Sequence, residues 1–259
     1  MNEAPGSTLV LAGFPALAAL AAGLFVFQAH VSGDADEAGG RKAARQAALR
    51  VAVLFVVPGA LAGSGALAKM IHPPLFMPMM ASILVGTVLV SRSALGRGIA
   101  TGAPLALLVG AQGFRLPLEL VMHEASLEGV MPPQMSFQGL NFDIVTGALA
   151  LVLAAGLALE KVPRGVVLAW NVVGTALLAN VVTVAVLSAP WFAFFGPDRV
   201  NTFVLHLPYT WLATVMVPFA LFGHLTVFRA LREGRAEGVT PRRSDGSPRP
   251  AGAHPPARA

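Results

Sequence analysis

Residues 165–188 read GVVLAWNVVGTALLANVVTVAVLS, a run without one charged side chain. A helix crosses the hydrocarbon of a bilayer with about 20 mostly apolar residues, and this run is long enough. Outward from it, six further stretches qualify, roughly 9–30, 47–69, 74–90, 99–122, 142–159 and 207–230. Together they use most of the 259 residues, so no separate soluble catalytic domain fits. Composition agrees, with 55% hydrophobic and 12% charged residues and a mean hydropathy of +0.69, where a soluble chain is about a quarter charged. Short segments of alternating polarity are absent, which argues against a membrane β-barrel. The fold predicted is all-α, an integral membrane bundle of about seven transmembrane helices over residues 1–232. From 233 to 259 the chain is rich in Pro, Arg, Gly and Ser with few large apolar groups. It reads as a disordered basic cytoplasmic tail.

Charge sets an expected orientation. Residues 1–7 contain Glu3 and no Lys or Arg, unlike the basic start of a signal peptide, so the first stretch reads as a retained helix. With the N-terminus outside, fifteen of the 18 basic residues fall on cytoplasmic segments. Only Lys69 and Arg199 fall outside, and Arg115 lies within the membrane. The positive-inside rule then predicts N-out and C-in, a multi-pass protein of the bacterial inner (plasma) membrane in contact with membrane lipids. The sequence pI near 10.7 comes from helix flanks and the tail rather than from a nucleic-acid-binding face. The absence of cysteine excludes disulfides, thiolate metal sites and cysteine nucleophiles.

The polar residues concentrate in one stretch, 115–143, RLPLELVMHEASLEGVMPPQMSFQGLNFD. Arg115, Glu119 and His123 recur at i, i+4 and i+8 on one helix face, and Asn141 and Asp143 open the next helix. Ionisable groups at membrane depth are costly and mark a functional site or a partnered lock. With helix four running outward, Arg115 is expected about two turns below the outer surface and Glu119 about one. His123, Asn141, Asp143, His206 and Tyr209 fall near that surface too, roofed by the loops 131–138 and 189–205. Asn171 and Asn180, nine residues apart, fall on opposite faces of helix six. His224 is expected near the inner face. Met77, Met79 and Met80 are too densely spaced for one face and read as core filler rather than copper(I) ligands.

Several readings of this cluster stand side by side. In the first, Arg115 neutralises Glu119 or Asp143 and locks helices four and five. In the second, the cluster binds a small anionic or lipid-like ligand, as a binding, transport, sensor or accessory subunit. In the third, His123 and His206 with Asp143 or Glu119 hold a zinc ion for a membrane hydrolase. Seven-helix hydrolases of the ceramidase and adiponectin-receptor superfamily offer that chemistry, but their His-x-x-x-His pattern in the last helix is missing here. A rhodopsin is excluded, because the last helix has no lysine for a Schiff base. No cofactor is named by any of these residues.

The run Arg115-x-Pro117-x-Glu119-x-x-x-His123, followed by Gly139-x-Asn141-Phe-Asp143-Ile-x-x-Gly147, resembles an uncharacterised family of bacterial multi-pass membrane proteins. Asn171-x-x-Gly174, Asn180, Leu187-Ser-Ala-Pro190 and Pro218-x-x-Leu-Phe-x-His224 fit the same pattern, over more than half of the chain. The resemblance implies the topology and the place of the site, and no substrate.

Overall fold

The computed structural model describes residues 6–33, 37–70 and 75–237. Among them every regular element is a helix, with no strand. In chain order the α-helices are α1 (Thr8–Val31), α2 (Glu37–Gly63), α3 (Ala66–Lys69), α4 (Phe76–Arg92), α5 (Ala94–Gly102), α6 (Leu105–Gly110), α7 (Arg115–Leu127), α8 (Asp143–Ala158), α9 (Arg164–Leu187) and α10 (Val217–Glu237). A 3-10 turn, Ala111–Phe114, joins α6 to α7, and a π-helical turn, Leu212–Met216, leads into α10. Five helical spans are long and apolar enough to cross a membrane, or six if the bent pair α4–α5 is one span. The expected fifth crossing is shorter than the others, since α8 has only 16 residues.

Prolines explain where the apolar segments break. The expected helix over 99–122 is interrupted because Ala103, preceding Pro104, is extended at φ −83° and ψ 141°. The ring of a following proline disfavours the α conformation there. The spanning unit is therefore Leu105–Leu127. Pro117 lacks the N–H that would take the Gly113 carbonyl in an α-helix, and the tighter turn at Ala111–Phe114 sits just before it. Pro218 likewise follows the π-helical turn, having no N–H for the Thr214 carbonyl. Between α4 and α5 the chain bends by 60° at Ser93, whose hydroxyl caps α5 by accepting from the Gly96 N–H.

Two expected boundaries move. The second apolar stretch, expected from residue 47, belongs to a helix that already begins at Glu37, because the alanines before it, with Arg41, Lys42 and Arg45, are strong helix formers. The tail expected from 233 begins later, since α10 continues to Glu237. The rest of that tail lies outside the described residues.

The π-helical turn and α10 form the most enclosed span, with 67% of its apolar window buried against 17% for α2. α10 touches α1, α4, α5, α6 and α9, while α2 leans on α1, and α8 on α6, α7 and α9. Glycines let the polar helices close in. A Cβ on Gly147 of α8 would come within 2.5 Å of the Leu116 backbone nitrogen, and one on Gly174 of α9 within 2.6 Å of the His224 ring.

The distribution of polarity is inverted relative to a soluble protein. Large apolar side chains such as Leu49, Val56, Val85, Leu89, Val152 and Val173 are exposed along the outer helix faces. The interior holds Gln28, Gln112, Arg115, Glu119, Asn141, Asp143, Asn171 and His224, all at most 5% exposed. Water would penalise that arrangement, whereas hydrocarbon around the bundle favours it. Hydroxyls inside the helices return to their own backbone, as Ser82, Thr175, Thr214 and Thr226 do with carbonyls four residues earlier.

Candidate functional site

Arg115 opens α7 near the middle of the span Leu105–Leu127, not two turns from its end. The helix runs on to Leu127, about 18 Å beyond Arg115 at 1.5 Å per residue. Its side chain is 1% exposed. Its Nε donates to Asp143 Oδ2 of α8 at 2.7 Å. Arginine has only donors, so the 2.8 Å contact between Arg115 Nη1 and His224 Nε2 makes Nε2 the acceptor. The ring proton then lies on Nδ1, which donates to Asn171 Oδ1 at 2.8 Å. Asn171 Nδ2 donates back to the His224 carbonyl at 3.1 Å. One chain of polar contacts thus joins α8, α7, α10 and α9. The Trp170 indole lies beside it, its ring 5.7 Å from His224 and its Nε1 donating to the Thr146 carbonyl.

Glu119 is not the ion-pair partner of Arg115. Asn141 Nδ2 reaches both Glu119 carboxyl oxygens at 2.9 Å and the Met135 carbonyl at 3.1 Å. Asn141 Oδ1 accepts from the Asp143 N–H at 3.0 Å. Asn141 therefore ties α7 to the first turn of α8 and fixes the backbone that aims Asp143 at Arg115.

A cavity of about 230 Å³ adjoins the cluster. Its wall is almost wholly apolar, with Met77, Met80, Leu178 and Val182 among the side chains from α4 and α9. Arg115, Glu119, Asp143 and Asn201 supply its polar part. Arg115 Nη2 and Asn201 Oδ1 are buried with no hydrogen-bond partner. The loops expected as a roof do close this end, since Met135, Trp191, Asn201 and Leu205 line the cavity. They are joined by Gln134 Nε2, which donates to Ser188 Oγ at 2.9 Å and to the Arg199 carbonyl at 2.8 Å. α4 and α9 both pack on α10 and scarcely on each other, so the cavity lies in a gap on the flank of the bundle.

The sequence candidates divide. Arg115, Glu119 and Asp143 line the cavity, and Asn141 tethers them. His123 instead stacks on Phe137 at 4.6 Å. Tyr209 packs its ring against Phe14 and Phe203 at 5.2 and 5.7 Å. Neither His123, His206 nor Tyr209 lines the cavity. The proposed metal trio of His123, His206 and Asp143 does not assemble, for no group of three or more His, Cys, Asp or Glu stands within reach of one ion among the described residues. The residues that sequence reasoning named but left outside the cluster are His224 and Asn171. His224 is central because α10 runs thirteen residues past it to Glu237. Asn171 faces inward while Asn180 is only half-buried and donates to the Leu140 carbonyl. No family model, no curated protein and no solved structure matches this chain.

Asn171→Ala would strand the His224 ring proton and carbonyl at once. It should cost about 1–3 kcal/mol in detergent unfolding, against about 0.5 kcal/mol or less for His206→Ala. Equal effects of the two substitutions would show that the chain through His224 contributes nothing.

Proposed function

We propose that this chain is a multi-pass membrane protein of seven helices, N-out and C-in, that holds a lipid-like ligand in the cavity beside Arg115. The observation that carries the reading is the pairing of an apolar wall with unsatisfied buried polar atoms. Arg115 Nη2 offers a donor and Asp143 Oδ1 and Asn201 Oδ1 acceptors at a cavity whose remaining wall, Glu119 apart, is largely apolar, and buried polar atoms left without partners are costly. A ligand with an apolar body and a hydrogen-bonding head relieves that cost. A small free anion suits the site less well. Arg115 is already paired with Asp143, and Glu119 adds a second carboxyl group. The gap between α4 and α9 supports access from the bilayer rather than from water. Seven crossings require the short α8 to span with local thinning or tilt of neighbours.

A second reading is favoured by the four-helix polar chain itself, which serves as a lock without any ligand. Native mass spectrometry separates the two. Gently purified protein should carry a lipid-like adduct, and Ala81→Phe with Ala185→Phe, which fill the cavity, should remove it while thermal unfolding stays within a few degrees. An adduct-free wild type, or the same adduct on the filled variant, leaves the lock alone standing.

Orientation rests on the arginine-rich end. Arg92, Arg164, Arg229 and Arg232 gather at one end of the bundle, and Arg199 lies at the other, beside Gln134. By the positive-inside rule the first end is cytoplasmic. A reporter fused after Ala259 should be active only in the cytoplasm, and activity on the far side would reverse the topology.

A further inference from the structure

The arginine-rich end holds a cleft of about 670 Å³ that is separate from the Arg115 cavity. Four guanidinium groups from three helices line it. They are Arg92 at the end of α4, Arg164 at the start of α9, and Arg229 and Arg232 in the last turns of α10. Beneath them the wall is apolar, formed by Leu168, Leu225 and Phe228.

Two of the arginines are fixed by the backbone. Arg164 Nη1 donates to the Gly234 carbonyl at 2.8 Å, and Arg229 Nη1 to the Ser91 carbonyl at 3.1 Å. Arg229 also pairs with Glu233 at 2.8 Å. Arg92 and Arg232 are exposed and hold no ion pair among the described residues. The cleft therefore keeps an excess of positive charge after its one carboxylate is counted. Like charges gathered in one concavity repel unless an anion joins them. Residues 238–259 carry four arginines against one aspartate, so their own balance is positive as well.

We infer that this cleft is a headgroup site for an anionic phospholipid. Its phosphate lies among Arg92, Arg164 and Arg232, and its acyl chains lie along Leu168, Leu225 and Phe228 in the gap between α4 and α9. Planar guanidinium groups match phosphate oxygens in bidentate fashion, and basic pockets between helices on the cytoplasmic side bind acidic lipid heads. The open flank between α4 and α9 gives hydrocarbon chains a place beside the bundle that a soluble phosphate does not need.

The test titrates phosphatidylglycerol, phosphatidylcholine and glycerol phosphate separately into the full chain in detergent and follows thermal unfolding. The wild type should be stabilised by phosphatidylglycerol alone. Arg92→Gln with Arg232→Gln, neither of which holds an ion pair, should weaken the half-saturating concentration about tenfold or more. Arg41→Gln with Arg45→Gln removes equal charge from α2, outside the cleft, and should leave the titration unchanged. Equal loss in both variants would mean diffuse surface attraction and overturn the site. So would equal stabilisation by phosphatidylcholine, which means no headgroup preference, or by glycerol phosphate, which means a soluble-anion site.

Discussion

A guanidinium at the middle of an apolar bundle is the constraint on which the other features depend. Arg115 is 1% exposed, and an isolated charge in such a place costs many kcal/mol unless it is paired and hydrogen-bonded. The fold satisfies it from three directions. α8 brings Asp143, α10 brings His224, and α9 brings Asn171 to hold the histidine. The close approaches at Gly147 and Gly174 follow from the same need, because short polar contacts require backbones to come near one another. In hydrocarbon, small residues at helix crossings allow such proximity where apolar burial supplies no driving force.

The same constraint links architecture to the cavity. Proline-induced breaks before α7 and α10 set the phase of the helices that carry Arg115 and His224. The roof loops are pinned by Gln134 rather than left free. What results is a largely hydrocarbon-lined space with Arg115, Glu119 and Asp143 of the cluster and Asn201 of the roof in its wall. α4 is the least committed wall of that space, packing on α5 and α10 but scarcely on α9.

Much of this was legible in the sequence, and the exceptions have physical causes. Long uncharged runs such as 165–188 specify helices almost to the residue, since α9 spans Arg164–Leu187. The cluster of Arg115, Glu119, Asn141 and Asp143 was visible because charges among apolar residues stand out. Their pairing was legible in part. Spacing at i and i+4 suggested Arg115 with Glu119, but of the two partners expected it is Asp143, across helices, that pairs with Arg115, while Asn141 takes Glu119. His206 and Tyr209 were grouped with the cluster by depth alone, which says nothing about which way a helix face turns. His123 was placed on the Arg115 face by its i+8 spacing, but eight residues at 3.6 per turn carry it about 80° away from that face. His224 was misplaced because the end of α10 cannot be read from hydropathy. Its last turns are charged and still helical, so the true midpoint of the helix lay further along the chain.

The most direct test of this account is a double-mutant cycle between Arg115 and Asp143, with unfolding of the purified protein measured in detergent. Arg115→Met and Asp143→Leu should each cost about 3–5 kcal/mol by leaving a partner buried and unpaired. The double substitution should recover much of that loss, giving a large coupling energy. Simple additivity of the two, or singles that unfold like the wild type, would contradict the claim that this pair holds the bundle together.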